Sequence, residues 1–337
     1  MTRPRTLALA LAAAALLAGA CSRRAADAPR PAGGYLGLEL PGRTAELFAP
    51  GIVSTGMAER DVAMTPDGSE LYFTVTNGAR GTIVVVRRTG GVWSQPEVAP
   101  FSGMWSDYEP AVSPDGRRFF FASTRPSGRS GDGPGDSDIW VMERTSAGWS
   151  APRNLGAPVN GERNEYFPSV TRDGTLYFTS RGERGEAIFR CRPAGGGYGE
   201  RELLPEQINT TAQQFNAYVA PDESYLIFTS ASRKGDLGGG DYQISFRNPD
   251  GSWTGAVNMG SVVNSRAGEW SPYVSPDGRV FFFHSTRNAV PDPSPVPLRY
   301  ADLRAMLERP ATGQSDIYWI DASFIEDLRR ASRAGRD

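Results

Sequence analysis

Short apolar runs separated by turn-forming clusters dominate the hydrophobic pattern of this chain. Phe119-Phe120-Phe121 follows Ser113-Pro-Asp-Gly and Ala111-Val112 precedes it; Leu176-Tyr177-Phe178 follows Thr171-Arg-Asp-Gly and Pro168-Ser169-Val170 precedes that. Such a pattern reads as a β-hairpin, since Pro presets φ for a turn, Asp bonds its own backbone and Gly supplies positive φ. The unit occurs five times, at Thr65-Pro-Asp-Gly, Ser113-Pro-Asp-Gly, Thr171-Arg-Asp-Gly, Ala220-Pro-Asp-Glu and Ser275-Pro-Asp-Gly. Its Asp positions, 67, 115, 173, 222 and 277, lie 48, 58, 49 and 55 residues apart. That period is close to a four-stranded propeller blade and longer than helical-repeat units.

A third run follows each hairpin after a Gly/Asp-rich loop, as in Asp138-Ile-Trp-Val-Met, Ala187-Ile-Phe-Arg-Cys, Asp241-Tyr-Gln-Ile-Ser-Phe and Asp316-Ile-Tyr-Trp-Ile. A fourth begins near Trp93, Trp149, Tyr198 and Trp253. Four short antiparallel strands cannot bury both faces alone, so the units must stack around an axis, and closing the ring removes open sheet edges. Residues 316 to 320 have no fourth strand after them, while Arg43 to Val53 supplies one ahead of the first unit. The expected fold is therefore all-β: a β-propeller of four-stranded antiparallel blades, five in number, with an N-terminal strand closing the last blade. Six blades are the alternative if Tyr35 to Ile52 or the insertion at 287 to 315 hides an irregular one. Within that insertion Leu298 to Glu308 reads as a short amphipathic helix, placing a helical insertion at about 298–309 in a propeller of 35–325, followed by a polar C-terminal tail at 326–337.

Composition narrows the function classes. Gly and Pro, at 39 and 26 residues, are in excess and favour turns over long helices. Lys plus Arg number 36 against 38 Asp plus Glu, so no basic field exists to hold a phosphate backbone and no nucleic-acid partner is expected. One His, His284, and two Cys, Cys21 and Cys191, exclude Cys-rich or multi-His zinc sites within one chain. No cofactor is expected.

The first residues read as a targeting signal. Arg3 and Arg5 form a positive region, Leu7 to Leu17 is apolar and too short to span a membrane, and Ala18-Gly19-Ala20-Cys21 follows. Small residues ahead of Cys resemble the bacterial lipobox, which implies residues 1–20 as a lipoprotein signal peptide and lipidation at Cys21. Ala18 stands where Leu is usual, and ordinary cleavage at Ala-Gly-Ala is the alternative. Ser22 follows the Cys, whereas Asp there resembles an inner-membrane retention signal; this implies an outer-membrane lipoprotein facing the periplasm, with a secreted or surface-exposed protein as the alternative. Residues 21–34, rich in Ala, Arg, Pro and Gly, read as a flexible tether. Cys191 is then left as a buried free thiol.

The Ser-Pro-Asp-Gly turns, Phe121-Ala-Ser-Thr-Arg125 and the Asp138-Ile-Trp and Asp316-Ile-Tyr-Trp runs resemble the WD40-like (Pro-Asp repeat, PD40-type) β-propellers related to the periplasmic TolB propeller. The resemblance covers about residues 36 to 321. It implies a propeller that binds envelope partners; TolB-like propellers have six blades, where five repeats are visible here.

Aligning the repeats exposes candidate sites. Eight residues before each repeat Asp stand Glu59, Asp107, Glu165, Gln214 and Glu269, and one step later Arg60, Tyr108, Tyr166, Phe215 and Trp270. The inner strand's start faces the channel mouth, so this register predicts a ring of acids with neighbouring aromatics that suits a polyol or a cation such as Ca2+. The plainer reading is that these acids cap turns or pair with Arg. Arg125, Arg181, Arg233 and Arg287 form a second register, suited to pairing with acids of a neighbouring blade. Asp138, Asp241 and Asp316 are placed to fix turns, and Asn160, Asn209 and Asn264 to bond loop backbone. The Gly131 to Asp138 stretch departs from EF-hand spacing and reads as a solvent loop. Trp93, Trp149 and Trp253 suit packing between blades better than sugar stacking.

His284 lies in Phe281-Phe-Phe-His-Ser285 and no Gly-x-Ser-x-Gly elbow occurs, which argues against serine hydrolysis. A glycosidase needs two carboxylates about 5 to 10 Å apart in unequal environments, and Glu59, Asp107, Glu165 and Glu269 keep that class open. The favoured reading is a monomeric, membrane-anchored, non-catalytic envelope module that binds a protein, peptidoglycan or glycan partner. A purely structural envelope protein is the third reading.

Overall fold

The computed structural model describes residues 34–128, 136–210, 213–289 and 296–334. The signal peptide, Cys21 and nearly all of the tether lie outside the described residues, as do most of the Gly131 to Asp138 stretch and residues 335–337. The described chain forms five antiparallel sheets, each a propeller blade, and the inner strands neighbour one another around the ring.

Blade 1 comprises Ala58–Met64, Glu70–Asn77 and Arg80–Thr89, with Val92–Trp93 and Glu97–Val98 on its outer edge; blade 2 comprises Asp107–Val112, Arg118–Ser123 and Asp138–Thr145, with Gly148–Trp149 and Arg153–Asn154 outermost. Blade 3 has Glu165–Val170, Leu176–Gly182, Gly185–Ala194 and Gly197–Leu203, and blade 4 has Gln214–Val219, Tyr225–Ser230, Asp241–Phe246 and Val257–Asn258. Blade 5 has Glu269–Val274, Val280–Ser285 and Asp316–Asp321, and Glu46–Leu47 pairs with its third strand as the fourth. The N-terminal segment thus closes blade 5 rather than forming a sixth blade. The 287–315 insertion carries a helix, α1 (Tyr300–Leu307), with no buried residue, and the polar C-terminal stretch is helical as α2 (Phe324–Ala334).

The second strand of each blade explains the uninterrupted apolar triplets. It is covered on both faces, and consecutive side chains point to opposite sides. Phe281 and Phe283 join the core between blades 4 and 5, whereas Phe282 joins the core between blades 5 and 1. Phe119 and Phe121 likewise face blade 1, while Phe120 faces blade 3. The hydrophobic core is therefore five cores, one in each seam between blades.

The Pro-Asp-Gly turns work through the Asp. Asp115 Oδ1 accepts the Ser113 hydroxyl at 2.5 Å and the Arg117 N–H at 3.0 Å, while Ser113 Oγ accepts the Arg118 N–H at 2.9 Å. Gly116 takes a φ of 71°, where a side chain is strained. Blade 4 carries Glu223 in that place at φ 57°, and its carboxylate accepts the Tyr177 hydroxyl from blade 3.

Candidate functional site

The repeat register places Glu59, Asp107, Glu165, Gln214 and Glu269 at the start of the inner strands, on the face opposite the Pro-Asp turns. All five are 0 % exposed. In blades 2, 3 and 5 the carboxylates meet donors of their own blade. Asp107 accepts from Arg125 and from the Ser123 hydroxyl, both at 2.6 Å. Glu165 accepts from Arg201 at 2.9 Å and Ser180 at 2.7 Å, and Glu269 from Ser285 at 2.9 Å with Arg287 at 3.5 Å. Burial raises the Glu165 and Glu269 carboxyls above the usual range against these donors. The arginines at 125 and 287 thus pair within their own blades and not across to a neighbour. Arg201 from the outer strand takes that role in blade 3 in place of Arg181, and Arg233, whose blade has the neutral Gln214, donates to Thr210 Oγ1 at 2.8 Å.

The neighbouring register, Arg60, Tyr108, Tyr166, Phe215 and Trp270, is half-buried. Trp270 stacks near Phe215 and His284, with ring centroids at 6.5 and 5.1 Å, and only glycine at 240 leaves it room, since a Cβ there would lie 2.7 Å from its Nε1. None of these ten residues lines the central cavity.

That cavity, about 190 Å³, runs from Asp61, Glu109, Phe167 and Ser271 at its inner end to Pro66, Pro114, Pro221 and Pro276 at the turns. The inner-end residues belong to a register six positions before each repeat Asp, whose fifth member is Asn216. Each adopts a left-handed conformation, with φ of 55°, 58°, 51°, 53° and 58° for Asp61, Glu109, Phe167, Asn216 and Ser271, and each sits where the pairing with the second strand slips. These are β-bulges, and non-glycine residues held at positive φ are strained. Sequence reasoning missed this register. Its signal was proline inside a strand, in Glu109-Pro110, Phe167-Pro168 and Ser271-Pro272, because proline within a strand marks a bulge.

At the inner end Arg60 clamps two acids, with Nε 2.9 Å from Asp61 Oδ1 and Nη2 2.7 Å from Glu109 Oε1. Asp61 also accepts the Ser271 hydroxyl and, at 3.2 Å, the Glu109 N–H. Glu109 Oε2 accepts the Phe167 N–H at 2.6 Å. Blade 2 has Ala122 where Thr74 and Thr179 cap the next blade's bulge with their hydroxyls, so the Glu109 side chain does this for Phe167 instead. Burial pushes the Glu109 carboxyl up, even beside Arg60. His284 occupies the corresponding threonine position in blade 5; burial, and then the Arg60 charge, lower it to about 3, and both ring nitrogens lack partners. The Ser285 hydroxyl next to it in the chain donates to Glu269 Oε1 and not to the imidazole.

The remaining motifs are structural in their contacts. Asn160 accepts the Ile139 N–H and donates to the Ile139 carbonyl, both at 2.9 Å; Asn209 does this with Ile188 and Asn264 with Tyr242, clipping each fourth-strand tail to the third strand. Asp138 and Asp241 accept the Asn154 and Asn258 amides at 2.7 Å. Trp93 and Trp253 are buried in seam cores, and Trp149 donates to the Tyr72 hydroxyl across the blade 1 to 2 seam. Cys191 is buried and free, its thiol pushed up to about 11 by that burial. Among the described residues no group of three or more His, Cys, Asp and Glu could hold a metal ion, and no helix is long and apolar enough to cross a membrane.

No family model and no curated protein matches the chain. It is similar to a solved structure of a putative TolB from Agrobacterium tumefaciens, at 20% identity over 68% of this chain and 70% of that one, with a TM-score of 0.44. TolB from Acinetobacter baumannii is similar at 14% identity, over 79% of this chain and 57% of that one, with a TM-score of 0.45. A GH43 endo-arabinanase from Bacillus licheniformis is similar at 15% identity, over 79% of this chain and 94% of that one, with a TM-score of 0.46. The assignment as a five-bladed propeller rests on the blades themselves.

Proposed function

We propose that this chain is a cell-envelope β-propeller acting as a non-catalytic binding module, and that it takes an apolar segment of a protein partner into the cavity on its Pro-Asp face. One observation carries the reading: every oxygen of the acids at the cavity's inner end already has a partner, while the walls in front of them are mainly apolar. All four oxygens of Asp61 and Glu109 already accept hydrogen bonds or an ion pair. A general acid or nucleophile needs a free oxygen within reach of substrate, so the pair is built to hold its shape. The walls are built mainly from Pro110, Pro168, Pro272, Val170 and other apolar groups, with Ser113, Ser169 and Arg172 as polar members. The glycosidase reading has less support, since the carboxylates that prompted it are fully buried and lie off the cavity.

The reading includes a lipid anchor at Cys21, following a signal peptide of residues 1–20, in the outer membrane facing the periplasm. The Tyr35 hydroxyl donates to Asp277 Oδ1 at 2.6 Å, so the chain enters the propeller on the Pro-Asp face. A tether of residues 21–34 would reach at most about 50 Å when fully extended.

The test is capture from envelope extract by the full-length protein, compared with Ala111→Trp, which fills the cavity, and with Glu165→Gln/Glu269→Gln. Capture lost in the first variant and retained in the second, with both folded by circular dichroism, is the expected result. Capture that survives Ala111→Trp removes the cavity as the site, and cleavage of a glycan by the parent protein replaces this reading with the enzymatic one.

A further inference from the structure

Three seams bring a third-strand aspartate beside the ring acid of the next blade: Asp138 with Glu165, Asp241 with Glu269, and Asp316 with Glu59. The same backbone hydrogen bond sets each one, from the Glu165, Glu269 and Glu59 N–H groups to the carbonyls of Ser137, Gly240 and Ser315 at 2.7, 3.0 and 2.8 Å. At the first two seams the chain supplies its own compensation. Arg201 and Arg287 pair with the glutamates, Ser180 and Ser285 donate to them, and Asn154 and Asn258 donate to the aspartates.

At the third seam these donors are gone. Val75 stands opposite Glu59 where Ser180 and Ser285 face their acids, and Asn77 stands two residues on, where Arg287 follows Ser285. Leu47 pairs with Tyr318 where Asn154 and Asn258 pair with Trp140 and Gln243. Glu59 is 0 % exposed and Asp316 1 %. Glu59 keeps the Thr55 hydroxyl, and Asp316 keeps the Ala311 N–H at 2.8 Å. Among the described residues Glu59 Oε2 and Asp316 Oδ1 have no hydrogen-bond partner, and no ion pair reaches either group. Two buried carboxylates without counter-charge are costly, and the cost is removed by a cation that binds both.

We propose that the seam between blades 5 and 1 is a divalent-cation site for Ca2+, with Glu59 and Asp316 as its carboxylate ligands. The donors are hard oxygens and their formal charge matches the ion. Ca2+ accepts six to eight oxygens in irregular geometry, so backbone carbonyls or water would complete the set around the two carboxylates, whereas Mg2+ demands a near-ideal octahedron. The ion would sit where the N-terminal strand completes the ring, and would fasten blade 5 to blade 1. This proposal is independent of the binding reading and of the cavity.

The test uses the full-length protein stripped with EDTA and titrated with CaCl2 by calorimetry, alongside thermal melts. One Ca2+ per chain is expected, with a melting-temperature rise of roughly 5 °C when free Ca2+ is about a hundredfold above Kd. Glu59→Gln and Asp316→Asn should each weaken uptake by about tenfold or more. Val75→Ser/Asn77→Arg, which rebuilds the blade 5 solution, should melt at the same temperature with and without Ca2+. No uptake by the stripped parent protein overturns the proposal, whatever the variants do. Uptake unchanged in both single variants also overturns it, because the ion then sits elsewhere. A parent protein indifferent to Ca2+ but stabilised by Glu59→Gln means that the seam is neutralised by a shared proton.

Discussion

Replacing Arg125 with methionine tests whether the buried ion pair at the start of blade 2 stabilises the fold. Arg125 is 2.6 Å from Asp107, whose side chain is 0 % exposed, and its own side chain is 10 % exposed. Removing one partner of a buried pair costs about 3 to 5 kcal/mol, because the other charge stays buried. Arg125 also donates to the Phe101 carbonyl at 3.0 Å and lies over the Phe121 and Trp140 rings at 4.8 and 5.3 Å. Methionine keeps part of that packing, so the expected loss is about 4 kcal/mol, or roughly 10 °C in melting temperature at about 2 to 4 °C per kcal/mol. The decisive assay is the double-mutant cycle with Asp107→Asn, measured by urea denaturation. The second substitution removes the stranded charge while leaving an acceptor for Ser123, and should recover about 2 kcal/mol or more. A single-variant loss below about 1 kcal/mol, or no recovery in the double variant, would refute a structural role for this pair.

Phe282→Ala should cost about 3 to 5 kcal/mol, since Phe282 is fully buried with ring centroids 4.9 Å from Phe48 and 6.1 Å from Trp319; denaturant melts check it, and a loss under about 1.5 kcal/mol would mean that the closing seam is not packed as described. Asp67, Asp115, Asp173, Asp222 and Asp277 are each held below the ordinary aspartate range; partial burial opposes this, and hydrogen bonds from the turn outweigh it. A depressed carboxyl stabilises the fold above its unfolded value of about 3.9, and that contribution is lost as pH falls through the folded value. Stability should therefore drop below about pH 4, and Asp115→Asn should flatten the drop; an unchanged acid titration in that variant would count against the turn assignment. Globomycin should accumulate uncut precursor in cells making the full-length protein if Cys21 is acylated, and normal processing in its presence would exclude the anchor.

Much of the fold was legible because its signals are local. Each Pro-Asp-Gly turn and apolar triplet reports its own hairpin, and the missing fourth strand after Asp316–Asp321 pointed to the N-terminal segment. The site was less legible. Counting back from each repeat Asp brings Glu59, Asp107, Glu165, Gln214 and Glu269 to equivalent places at the inner-strand starts, but a register does not say which way a side chain turns. The bulge reverses the simple inward and outward alternation, so Glu59 and its equivalents face the seams while the residues two positions later reach the axis. The partners were equally hidden: Arg201, on an outer strand, serves Glu165 in place of Arg181, a choice fixed by tertiary approach and absent from the repeat pattern. The sequence marks the buried Asp316 only as one more turn aspartate, because Leu47, which stands where Asp138 and Asp241 have an asparagine, comes from the far end of the chain.

The fourth strand of blade 5 has one further consequence. Glu46–Leu47 and Asp316–Asp321 come from opposite ends of the described chain, and the seam they complete shelters Val280, Phe282 and Trp319. A copy that stops short of residue 316 has four whole blades, an open edge and bare aromatic surface on both sides of the gap. Such a product is a ready substrate for proteases and for aggregation. The clasp therefore acts as a length check: the molecule becomes a finished object only when its last strand meets its first.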